Sequence, residues 1–172
     1  MQQHRQLSWH RHHGSLLRIL SSALAQSQPV PPPVTGLVMD ALGNLYGTTL
    51  EGGAANNGTV FKVDVVGNET VLHSFAGSPN DGSNPLSSLT LVNGKLFGTA
   101  NTGGLSSCLG PFECGIMFSL DGLGNEQALV KFNVSNGRWP SGPLLYVSKK
   151  KLFYGTTTAG GLSNQGTVYL FK

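Results

Sequence analysis

The chain has 172 residues, enough for one domain, with 24 glycines, 9 prolines and only 11% charged residues, a turn-dense and β-rich composition. Its net charge of +3 comes from the first eighteen residues, where Arg5, Arg11 and Arg18 meet no acid; the other eight Lys/Arg balance all eight Asp/Glu. A neutral body gives no electrostatic case for nucleic acid, and no run approaches the ~20 apolar residues of a membrane-spanning helix.

Residues 1–28 stand apart as a leader that holds four of the five histidines. Ala23-Leu24-Ala25 has the small-x-small form of a signal-peptidase site, while Arg18 interrupts the short apolar stretch before it. Two readings stand, a secretory signal or a disordered leader. Residues 29–35 form a proline-rich linker of polyproline character. The remainder, 36–172, reads as a β-repeat domain, with repeats at about 36–85, 86–140 and 141–172, the last incomplete.

Leu45 to Lys62 (LYGTTLEGGAANNGTVFK) returns from Leu96 as LFGTANTGG…CGIMF and from Phe153 as FYGTTTAGGLSNQGTVYL. Gly47, Gly98 and Gly155 each follow an aromatic (Tyr46, Phe97, Tyr154) and precede a threonine, with offsets of 51 and 57 residues. Periods of this size belong to solenoids, propellers or arrays. A glycine pair follows each anchor and ends on Gly53, Gly104 or Gly161; then Gly58, Gly115 or Gly166 opens the next apolar run. The second copy carries six extra residues before Gly115. The pairs predict sharp turns with positive φ, and the anchor glycines predict close backbone approach. A phosphate-cradling loop is disfavoured, because neither a Gly-Lys-Ser/Thr nor a helix pattern follows.

Each Asp-x-x-Gly-Asn (Asp40–Asn44, Asp64–Asn68, Asp121–Asn125) sits between strand-like runs and predicts a hairpin. Asn93-Gly94 takes that place in repeat two, and Ser148–Lys151 in repeat three. Two hairpins per period give four strands. Unbroken apolar runs such as Ile116–Phe118 mean that both sheet faces are covered. The expected fold is all-β: tandem four-stranded antiparallel units forming a partial, propeller-like arc of about three blades, with a β-sandwich as the competitor. Segments such as Asn80–Pro85 and Asn136–Pro140 are linking loops. An incomplete array should either expose apolar blade faces or self-associate.

The motifs GNLYGTT (Gly43–Thr49), GTVFK (Gly58–Lys62), NETVLHSF (Asn68–Phe75) and Asp81-Gly82 resemble the GloVer tandem repeat of bacterial proteins with varied anchors. The resemblance covers roughly 36–172. It implies an exported, surface-associated, propeller-like repeat protein of undefined biochemical role. The chain stops at Phe171-Lys172, midway through a third repeat, so a fragment or short paralogue is expected.

Chemistry-bearing residues are few. Cys108 and Cys114 lie together in the insertion and predict a local disulfide in an oxidising compartment. His73 is the lone histidine of the body; it reads as a packed or partly exposed strand residue, with Val130 as its counterpart in repeat two. Asp64 aligns with Asp121 and Glu69 with Glu126, which favours turn formers over a catalytic carboxylate pair. Asp81-x-Ser83 lacks the glutamate that would complete a calcium loop. No Gly-x-Ser-x-Gly occurs. Accordingly no catalytic, metal or cofactor residue is expected. Tyr46, Phe97 and Tyr154 read as core. Trp139, beside Arg138, is the candidate ligand-contact aromatic. The expected function is a non-catalytic, secreted or cell-surface interaction scaffold with a protein or glycan partner; the alternative is a carbohydrate-binding or carbohydrate-active propeller fragment.

Overall fold

Strand follows strand wherever an apolar run meets an Asp-x-x-Gly-Asn turn. The structure is a computed structural model that describes Trp9–His12, Ser15–Arg18 and residues 35–172 apart from 106–107 and 109–112. Among the described residues there is no helix. The chain divides into two units, Met1–Val30 and Pro31–Lys172. Of the first, the structure gives a hairpin in which β1 (Trp9–His12) pairs with β2 (Ser15–Arg18). The rest of the leader, and of the linker up to residue 34, lies outside the described residues.

The second unit is built of three successive antiparallel sheets, here called blades. The first runs β3 (Val38–Met39), β4 (Leu45–Thr49), β5 (Thr59–Val63) and β6 (Glu69–Ser74), each strand paired with the next. After β7 (Gly82–Ser83) comes the second, from β8 (Thr90–Val92), β9 (Lys95–Ala100), β11 (Ile116–Leu120) and β12 (Glu126–Lys131), with β10 (Thr102–Gly103) between β9 and β11. The third has only β13 (Arg138–Val147), β14 (Leu152–Ala159) and β15 (Thr167–Phe171). The partial, propeller-like arrangement expected from the repeat is thus present. Equivalent β-bulges fall between Val60 and Phe61 and between Met117 and Phe118, so the blades repeat in their irregularities too.

Alternation along the strands sends one set of side chains to each neighbouring blade. Tyr46, Val60 and Phe75 of the first blade pack with Leu96, Ile116 and Phe118 of the second. Met117 and Phe132 on the second blade's other face pack with Leu144 and Phe153 of the third. The anchor glycines lie beneath aromatic rings. A methyl at Gly98 would come 2.7 Å from Phe118, and one at Gly47 would come equally close to Phe61. At Gly155 the ring is that of Tyr169. The threonine after each anchor ties its strand to the chain entering the same blade: Thr48 to Thr35 (2.9 Å), Thr99 to Ser87 (2.8 Å), and Thr156 to the Ser141 carbonyl (3.0 Å).

Successive blades meet backbone to backbone. The linker strand β7 pairs with β10, Gly82 opposite Gly103. In the next joint, a methyl on Gly160 would stand 2.7 Å from the Gly137 Cα. Both glycines of every pair have positive φ, between 75° and 90°. The joints also correct the sequence reading of Arg138 and Trp139. They do not lie in a free linking loop but open β13, with Arg138 opposite Ala159.

The three aspartate turns are superposable in their bonding. In each, Oδ1 accepts from the backbone N–H groups two and four residues on, and Oδ2 accepts from the asparagine side chain four residues on. The Asn44 side-chain bond, with backbone bonds and the Tyr46 hydroxyl, holds the Asp40 pKa down at about 2. Asn68 lowers Asp64 in the same way, and Asn125 lowers Asp121. A depressed carboxylate contributes stability that is full above its unfolded value and lost as pH falls through its folded value. The melting temperature should therefore fall as pH drops from about 4 towards 2, the folded value of Asp40. An Asp40→Asn/Asp64→Asn/Asp121→Asn variant should melt lower at neutral pH and show a flatter acid limb by circular dichroism.

Candidate functional site

At the seam between the first two blades, three ionisable side chains meet. His73 sits on β6, where the pairing Val60↔His73 turns it to the same face as Val60, towards the second blade. Asp81 lies in the linker just before β7. Glu126 is the first residue of β12, opposite Leu120, on the face that meets the first blade. One ligand atom from each lies within 4.8 Å of the others. His73 Nε2 is 3.1 Å from Asp81 Oδ2.

Asp81 is held by backbone. Its Oδ2 accepts from Ala76 N at 2.7 Å and its Oδ1 from Gly82 N at 2.6 Å. Burial alone would raise its pKa, but the bond from His73 and those two N–H groups outweigh it and hold the carboxyl below the usual range. Glu126 moves the other way, pushed up first by burial and then by the charge of Asp81, with His73 and Lys131 opposing. Its Oε1 is buried without a hydrogen-bond partner. Lys131, at the far end of β12, reaches across the seam to the Pro79 carbonyl at 3.1 Å. The seam thus gathers one imidazole nitrogen and two carboxylates, one of them prearranged by main-chain donors.

Sequence reasoning placed His73 as a packed or partly exposed strand residue and grouped Glu126 with the turn-forming acids. The structure separates the acids. Asp64 and Asp121 build turns, whereas Glu69 and Glu126 begin outer strands and face sideways out of their sheets, towards the position of a preceding blade. Blade two puts Val130 and Asn136 where blade one has His73 and Asp81, so the cluster occurs at one seam and not at the next. That departure from the repeat was the only signal the sequence offered.

The other singled-out residues gather at the second joint. Cys108 and Cys114 are both buried and stand at disulfide-bonding distance, with Cα atoms 5.5 Å apart. Trp139 binds this loop twice, its N–H donating to the Cys114 carbonyl (2.8 Å) and its indole Nε1 to the Glu113 carbonyl (3.0 Å). Arg138 is buried; its guanidinium donates to Asn164 Oδ1 (3.0 Å) and lies 4.4 Å over the Trp139 ring. Among the three aromatics preceding the anchor glycines, Tyr46 is in the first seam and Phe97 stacks on Phe153 at 4.4 Å in the second. Tyr154 is half-buried.

Three like sheets joined by one recurrent glycine-to-glycine contact agree with the comparison of the chain against known families. Residues 12–172 match the Gloeobacter/Verrucomicrobia repeat family. The chain belongs to that family. A search of curated proteins returns no match.

The cysteine pair generates a direct test. Protein denatured without reductant should take up no thiol-alkylating label, and reduced protein should take up two. A Cys108→Ser/Cys114→Ser variant should lose about 2 kcal/mol in urea unfolding, the scale expected for a short closed loop.

Proposed function

We propose that the chain is a non-catalytic repeat scaffold, secreted or displayed at a cell surface, that works by presenting blade faces to protein partners, with a second copy of itself as the first of them. The observation that carries this reading is the outer face of the third blade. Leu145, Val168 and Leu170 are 63%, 77% and 64% exposed there. Leu145 and Leu170 both register with Tyr154, so the apolar residues form one row across the sheet. The opposite faces of the same strands are buried against the second blade through Leu144, Phe153 and Tyr169. An apolar sheet face covered on one side and open on the other suits interaction. On the first blade's outer side Leu37, Met39 and Val71 are exposed as well. Head-to-tail contact between two copies would bring these faces together. The buried cysteine pair suits an oxidising compartment.

A glycan-binding role is the alternative, with Trp139 as its contact aromatic and the buried Arg138 stacked against its ring. It is favoured by the Trp139 backbone, whose φ of 57° is unusual for a bulky side chain and of the kind that clusters at ligand sites.

Light scattering after size exclusion should show mass rising with concentration, and Val168→Lys/Leu170→Lys should hold the protein monomeric with its melting temperature little changed. A compact monomer at all concentrations overturns the self-association. A glycan array without binders removes the alternative, whereas binding lost in Trp139→Ala establishes it.

A further inference from the structure

The seam cluster is better suited to an ion than to the protein alone. Without one, Glu126 keeps a buried carboxylate oxygen unpartnered, an arrangement that costs free energy in proportion to its desolvation. It also lies beside a second carboxylate, Asp81, with its backbone-fixed orientation. The 3.1 Å between His73 Nε2 and Asp81 Oδ2 is the spacing of two neighbouring ligands on one metal, since donors about 2.1 Å from an ion at roughly 95–110° stand about 3.1–3.4 Å apart. Glu126 is the third donor, within 4.8 Å of the other two.

We propose that His73, Asp81 and Glu126 form a binding site for a divalent transition-metal ion of the zinc class, which clamps β6 and the linker of the first blade to β12 of the second. One imidazole and two carboxylates are a donor set for zinc, manganese or ferrous iron rather than for calcium, whose sites are all oxygen. The Ala76 and Gly82 N–H groups fix Asp81 in the manner of outer-shell partners that orient a metal-bound carboxylate. The His73 and Asp81 side chains are 18% and 14% exposed, which leaves an entry path from solvent. The bound ion would supply Glu126 Oε1 with the partner it lacks. The repeat itself does not require this constellation, because Val130 and Asn136 stand at the matching positions of blade two. This inference is independent of which partner the blade faces engage.

The test must separate this site from the leader, whose four histidines are further candidate zinc ligands. The reference protein is therefore the full chain with His4, His10, His12 and His13 each changed to Gln. Stripped with chelator and titrated with zinc chloride in a calorimeter, it should bind one equivalent, and zinc should raise its melting temperature. His73→Gln and Glu126→Gln should each weaken binding by about tenfold or more and abolish the zinc-dependent thermal shift. Glu126→Gln removes a half-buried carboxylate whose pKa is raised by burial and by the neighbouring Asp81, so its metal-free melting temperature should equal or exceed that of the reference, which distinguishes a lost ligand from a lost fold. Cobalt should give visible absorption bands that disappear in His73→Gln. Failure to bind at about 1 mM zinc, or binding unchanged in both variants, overturns the proposal.

Discussion

Everything in the repeat domain depends on backbone lying directly on backbone where one blade hands the chain to the next. Gly82 opposite Gly103 and Gly137 against Gly160 leave no room for a Cβ on the receiving glycine. That closeness fixes the distance between sheets, and the distance decides which side chains can fill the seams. Large aromatics fit where the neighbouring strand of the same sheet is bare, as where Phe118 lies over its register partner Gly98 and Tyr169 over Gly155. Threonine hydroxyls then pin each entering strand. With so few charged residues, the unit is held by close packing and short polar ties such as the His73–Asp81 contact of 3.1 Å.

Much of this was legible because repeats make local chemistry visible three times. The turns at Asp40, Asp64 and Asp121, the glycine pairs with positive φ and the four-strand rhythm all depend on residues within a few positions of one another. The anchor glycines could be read as sites of close approach, though not which ring approached. What the sequence could not disclose is what meets across a seam. His73 and Glu126 are 53 positions apart (126 − 73), and their meeting depends on the offset between blades rather than on any motif. Arg138 and Trp139 were misplaced for a related reason. Their Gly-rich, Pro-containing surroundings look like a loop, yet pairing with β14 draws them into a strand whose register is broken between Ser141 and Leu145. Tertiary pairing overrode local propensity there.

The same comparison separates scaffold from opportunity. Positions that recur with the blade, such as Gly58, Gly115 and Gly166, bear on folding; at the first two, an added methyl would meet both a carbonyl oxygen and the proline of the following linker, Pro85 or Pro140. Positions where copies disagree are free to acquire a role. His73 against Val130 and Asp81 against Asn136 are such places, and so is the cysteine-bearing insertion that gives Trp139 its two carbonyl partners.

In the second and third blades the first glycine of the pair is pressed against the linker of the blade before it, whereas an added methyl on Gly52 would meet nothing within 4 Å. Each blade therefore has a giving side and a receiving side of different shape, and a stack of them has polarity, as a filament does. Growth of the array is directional: a further unit on the first blade would meet an uncovered Gly52, and one on the third would meet the open apolar face of β13 and β15. Contacts made by joining ends in this way are heterologous rather than two-fold symmetric, so a substitution at one end would leave the recognition chemistry of the other intact.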